Sequence, residues 1–250
     1  MTVLSVAPAE PHDIGVVAVL DDDVGQAKAV EFQLQDVGVE TIVVNLDEVP
    51  TLDRAIDWIT HKVNAVICDV QLSHLHSGVS YNGAELMSSV IGDCKIPGVL
   101  TTGFKDDVGM WVRPHRHRIP VLISRDETEE PEVLVDGVEA CRVEIAKGRG
   151  PDRETHRVPL YIEKAGITEV GVALDARVGG WSRKASMRFP AVMLDERYAD
   201  LDAALAITGQ VFFARVNLGA QHETDLFFED PEPELVDPTE LSLHFDAEIA

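Results

Sequence analysis

Four aspartates and a threonine carry the chemistry that can be read from the 250-residue chain. Val16-Val17-Ala18-Val19-Leu20 is an unbroken apolar run, and Asp21, Asp22 and Asp23 follow it directly. Ala65-Val66-Ile67-Cys68 is a second run, closed by Asp69, and Gly98-Val99-Leu100 leads into Thr101, Thr102 and Gly103. Carboxylates brought close together cannot all stay ionised without a cation. Hard oxygen ligands of this kind are what Mg²⁺ prefers. A metal-bound carboxylate beside a threonine hydroxyl suits phosphoryl transfer: the cation neutralises charge and the hydroxyl grips a phosphoryl oxygen.

These residues need a scaffold that gathers them. Short unbroken apolar runs fit strands buried on both faces of a parallel sheet. Residues 16–20, 41–44, 65–68, 98–102 and 121–123 are five such strands. Helical spacing predicts helices over 26–37, with Gly38 placed to end it, and over 52–60, 83–91 and 132–147. The alternation predicts an α/β fold, a five-stranded doubly wound parallel sheet. Right-handed crossovers put every strand's C-terminal end on one rim, where such sheets bind ligands. Asp21, Asp22 and Asp69 converge there if the first and third strands are neighbours.

Residues 15–147 resemble the receiver domain of two-component response regulators, a flavodoxin-like fold. The resemblance rests on Val19-Leu20-Asp21-Asp22-Asp23, on Val66-Ile67-Cys68-Asp69, and on Ile96-Pro97 leading into Val99-Leu100-Thr101-Thr102-Gly103. Asp22 and Asp69 stand 47 residues apart, and Asp69 and Thr102 stand 33 apart, as the layout of that family leads one to expect. The resemblance implies that Asp69 is the phospho-acceptor, Asp22 a direct Mg²⁺ ligand and Asp21 a ligand through water. It also implies that Gln71 offers a backbone carbonyl and that Thr102 is the switch hydroxyl. A histidine kinase or phosphotransfer protein would be the donor, and catalysis would be at most self-phosphorylation and dephosphorylation at Asp69. Two departures stand against this. The family's fifth-strand Lys is missing: Ser124 takes its place, with Arg125 and Lys105 the cations at hand, and Arg is a fork where Lys is a point charge. The loop from Gln71 to Gly83 is also longer than usual. The alternative is therefore a non-phosphorylated pseudo-receiver, an adaptor or scaffold subunit of a multi-protein system. Asp21 and Asp23 further match the spacing of Mg²⁺-dependent phosphohydrolases, a third reading.

The expected layout is an N-terminal extension over 1–14, the receiver-like domain over 15–147 and a polar linker over 148–156. A β-rich output or docking domain over 157–230 and an acidic tail over 231–250 follow. Strand-like segments at 157–164, 169–178, 187–194, 210–218 and 225–228, with one helix at 201–207, predict a small mostly-β domain, sandwich or barrel. Alternation places Phe212 or Phe213 in its core. Cys68 reads as core, and His74, His76, His115 and His117 read as polar-loop residues. Arg113, Arg116 and Arg118 form a basic patch, read either as a solvated loop or as a dock for an acidic partner, the chain's own tail included.

With 44 acidic against 21 basic residues, the net charge of −23 repels phosphate backbones and anionic membranes. No apolar stretch nears the ~20 residues a spanning helix needs. Met1 to Asp13 lacks the basic and apolar runs of a secretory signal. Three scattered cysteines point to a reducing cytoplasm. The expected partner of the C-terminal domain is a protein and not a nucleic acid or a membrane, and a homodimer stays open.

Overall fold

The computed structural model describes residues 14–73, 78–103, 108–182 and 185–233. The chain divides into two compact units, residues 1–103 with 119–146, and residues 104–118 with 147–250. The expected receiver-like span is thus interrupted, because 104–118 groups with the second unit. No helix among the described residues is long and apolar enough to cross a membrane.

The first unit is built on β1 (Val17–Leu20), β2 (Thr41–Val43), β3 (Ala65–Asp69), β4 (Gly98–Thr102) and β5 (Leu122–Ser124). They form one sheet in the order β2-β1-β3-β4-β5, and every pairing is parallel. This is the flavodoxin-like doubly wound order. Every residue of β1, β3 and β4 is buried, which is why these strands read as continuous apolar runs. Val17, Val19, Ala65, Ile67 and Val99 pack on one face with Ala27 and Leu34 of α1 (Val24–Asp36) and with Leu134, Val135 and Val138 of α4 (Pro131–Lys147). Alternation sends Ala18, Leu20, Val66, Cys68 and Leu100 to the other face. There α3 (Gly83–Gly92) packs against β3, β4 and α2 (Leu52–Lys62).

The helix ends follow local chemistry. Asp23 caps α1, its carboxylate accepting from the Gly25 and Gln26 amides, a contact worth about 1 kcal/mol. Gly38, at φ +82°, ends it as expected. Asn82 and Glu85 form a reciprocal capping box at α3. Between β4 and β5, where a doubly wound sheet ordinarily returns through a helix, the described residues hold a π-type turn at Val108–Val112 and a 3-10 turn at Arg116–Arg118.

The second unit is the small mostly-β domain expected, but its described strands form one open antiparallel sheet in place of a sandwich or barrel. Its strands are β6 (His156–Thr168), β7 (Gly171–Val178), β8 (Met187–Pro190), β9 (Val211–Val216) and β10 (Phe228–Pro233), in the order β10-β9-β6-β7-β8. Leu160, Ile162, Leu174, Met187, Phe189, Phe212 and Phe228 build its core together with Tyr198 and with Ala204 of α5 (Leu201–Ala206). Among the described residues, one helix and turns pack on its apolar face. Phe212 is in the core, whereas Phe213 is half-buried beneath the Arg157 guanidinium.

The basic patch is occupied by the chain's own acidic segment. Arg113 is fully buried; its guanidinium donates to the carbonyls of Arg188, Glu223 and Leu226 and pairs with the Glu223 carboxylate. Arg116 pairs with Asp225 at 3.0 Å, and Arg149 makes a two-pronged contact with Glu229 at 2.7 and 3.2 Å. Removing one partner of a buried pair leaves the other charge or its acceptors unanswered. Arg113→Ala is therefore expected to cost the second unit about 3–5 kcal/mol in urea denaturation. Glu232→Ala, which breaks the exposed 3.8 Å pair with Arg157 and leaves the guanidinium over Phe213, should cost no more than about 1 kcal/mol.

Candidate functional site

Four consecutive strand ends form the rim of the first sheet. β1 delivers Asp21, β3 ends on Asp69, β4 ends on Thr102, and β5 ends on Ser124 with Arg125 next. The register sets Leu20 beside Cys68, Asp69 beside Thr101 and Thr102 beside Ser124. Oxygens of Asp21, Asp22 and Asp69 lie within 4.8 Å of one another. The three predicted carboxylates therefore meet. Thr102 stands two strands from β1 on the same rim, 6% exposed.

The triple aspartate divides its labour by hydrogen bonding. Asp23 is spent on the α1 cap. Asp21 turns one oxygen back to accept the Asp23 amide at 2.8 Å. Burial pushes the Asp21 carboxyl up to about 7, the Asp23 amide lowering it and the Asp69 charge raising it again. Asp69 is 4% exposed and its carboxyl is also raised by burial, partly offset by the Gln71 amide and by Arg125. Gln71 N–H donates to Asp69 Oδ2 at 2.9 Å. Cys68 is fully buried and its thiol is pushed up, so it is a core residue as expected.

Arg125 supplies the cation that the fifth strand lacks. Its Nη2 donates to Asp69 Oδ1 at 3.0 Å and lies 3.7 Å from Asp21 Oδ2. Ser124, at the position of the missing Lys, is engaged elsewhere. Its amide and hydroxyl donate to Glu127 Oε2 at 2.9 and 2.6 Å, capping the 3-10 turn Arg125–Glu129. Lys105, His74 and His76 lie outside the described residues. Among the described residues His115 and His117 join no metal-binding group.

Sequence reasoning missed Gly83. A Cβ there would fall 1.9 Å from the Asp69 carbonyl oxygen and 3.0 Å from Cys68 Sγ. The first residue of α3 thus lies directly against the backbone that carries Asp69. The signal was present: Asn82-Gly83 with Glu85 spells a helix start that can approach a strand closely.

The donor set is all oxygen, crowded and partly desolvated, and it fits Mg²⁺: Asp21, Asp22 and Asp69 would hold it.

No protein-family profile matches the chain, and no curated protein matches it. Solved structures do resemble about half of it. The receiver domain of NtrX from Brucella abortus is 20% identical, covering 50% of this chain and 97% of that one, with a TM-score of 0.39. A response regulator receiver domain protein from Clostridium thermocellum is 14% identical, covering 51% and 93%, with a TM-score of 0.39. The N-terminal domain of a response regulator/sensory box/GGDEF protein from Carboxydothermus hydrogenoformans is 17% identical, covering 54% and 99%, with a TM-score of 0.41. Strand order and register carry the fold assignment.

Three outcomes follow from this geometry. Gly83→Ala forces α3 or the Asp69 backbone to shift and should cost about 1–3 kcal/mol in thermal or urea unfolding. The second concerns pH. A carboxyl raised in the folded state holds a proton that the unfolded chain releases, so its contribution to stability falls as pH rises through that window. The melting temperature of Asp21→Asn, relative to wild type, should therefore climb from about pH 4 to about pH 7. Added Mg²⁺ should stabilise the wild type more at about pH 8 than at about pH 5, where protons compete for Asp21. A flat difference between the two proteins would remove Asp21 from the pocket's electrostatics.

Proposed function

We propose that the chain is a response-regulator-like signalling protein that accepts a phosphoryl group on Asp69. The observation that supports this most is the meeting of Asp21, Asp22 and Asp69 on the rim. Asp21, Asp22, Asp69 and the Gln71 carbonyl would hold Mg²⁺, which neutralises charge on the phosphoryl oxygens when bound. A carboxylate oxygen of Asp69 forms the new O–P bond as the N–P bond of a phosphohistidine breaks, and the electron pair leaves with the donor imidazole, which takes up a proton. Arg125, already on Asp69, is placed to meet the incoming negative charge with its planar fork. Thr102 donates its hydroxyl to a phosphoryl oxygen and so reports the change. The donor is a histidine kinase or phosphotransfer protein, and the second unit gives a protein contact as output. Residues 151–250 hold 19 acidic against 9 basic residues, which makes the second unit a poor reader of nucleic acid.

One observation favours a second reading. Arg125 already neutralises part of the acidic cluster, which suits a pseudo-receiver that serves as an adaptor without phosphorylation. A small-molecule phosphodonor with Mg²⁺ separates the two. Intact-mass measurement should show one added phosphoryl group on the wild type and none on Asp69→Asn. An unmodified wild type that still captures its partner establishes the adaptor instead.

A further inference from the structure

We infer that Arg125 is a built-in rival of the divalent cation, and that the Ser124–Glu127 cap outside the pocket sets how strongly it competes. The inference rests on the metal-binding reading of the pocket. One nitrogen of Arg125 lies 3.0 Å from Asp69 Oδ1 and 3.7 Å from Asp21 Oδ2. Those are two of the three carboxylates that a cation on this rim must use. An oxygen committed to a charge-assisted hydrogen bond has less electron density to offer a metal. Two positive centres sharing the same oxygens also repel each other. As it stands, Arg125 therefore opposes cation entry and weakens the hold of these carboxylates on the ion.

The side chain has room to leave and a device that returns it. It is 38% exposed, so its head can reach water, and Gly103 lies alongside it at a distance where even a Cβ would make only van der Waals contact with Cζ, at 3.6 Å. The backbone that aims it is tied at both sides. Ser124 binds Glu127 through its amide and its hydroxyl, and Thr128 Oγ1 donates to the Arg125 carbonyl at 2.7 Å. The residue at the end of β5 does not enter the pocket; it fixes the turn from which the next residue enters. Ser124 and Glu127 are thus positioning residues for Arg125.

The test is Mg²⁺ titration of the full chain by calorimetry, with far-UV circular dichroism confirming that each variant folds. Arg125→Gln should bind Mg²⁺ roughly ten- to a hundredfold more tightly than wild type, the effect of removing one partly screened charge. Ser124→Ala, which loosens the aim and leaves the charge, should tighten binding by a smaller factor. Asp22→Asn in the Arg125→Gln background should abolish the gain, which places the ion in this pocket. Unchanged or weaker binding by Arg125→Gln overturns the rivalry while leaving the metal site standing. An absence of binding by both wild type and Arg125→Gln removes the rivalry and the metal reading together. Equal binding by Ser124→Ala and wild type, with tighter binding by Arg125→Gln, overturns the positioning role of the cap.

Discussion

The crowding of three carboxylates on one sheet rim is the constraint to which the first unit answers. It follows from topology. With β1 beside β3 and both parallel, the residues that close these strands cannot avoid each other. Asp69 is almost wholly buried, so its charge is neither well hydrated nor spread by solvent. Such a cluster persists only when protons, a cation or a fixed positive side chain offset it. The chain shows two of these responses at once. Asp21 has its carboxyl raised toward neutrality, and Arg125 stands on Asp69.

The rest of the rim is arranged around that cluster. Asp23 is drawn into the start of α1, and its amide satisfies one oxygen of Asp21. The Gln71 amide does the same for Asp69. These contacts orient the carboxylates without supplying a positive charge. Gly83 lets α3 begin against the Asp69 backbone, which restricts how that residue can turn. A shift of any one of these backbone segments would move a carboxylate that the others depend on.

The sheet and its carboxylates were legible because their signals are local or periodic. Apolar runs mark doubly buried strands, Gly38 marks a helix end, and a carboxylate after such a run lands on the rim. Arg125 was legible only as a cation near the right place. Whether Ser124 or Arg125 turns inward depends on the turn that Glu127 caps, and alternation along a three-residue strand says nothing of that turn. The segment 104–118 was harder still. Its histidines read as polar-loop residues and its arginines as either a solvated loop or a dock for an acidic partner; Arg113 proves fully buried, against acceptors 75 to 113 residues away. No window along the sequence contains both ends of such a contact. Alternation in the second half foretold one buried face on each strand, but not that one short helix and turns would pack on it.

Arg113 also explains how a chain with so large an acidic excess folds a compact second unit. The stretch Glu223 to Glu232 is not simply a solvated run of like charge. Arg113, Arg116, Arg149 and Arg157 each meet one of its carboxylates, and Arg149 and Arg153 lie over the Phe227 ring. Paired in this way, the acidic residues fix where the strand β10 enters the sheet. A lysine could supply the charge of Arg113, but not its geometry. Three backbone carbonyls and a carboxylate converge from different directions, and only a planar fork with five donors can answer them from a single buried position. The segment that carries this arginine is flanked in sequence by Thr102 and Arg125. Thr102 and Arg125 belong to the first unit, while the segment between 104 and 118 groups with the second.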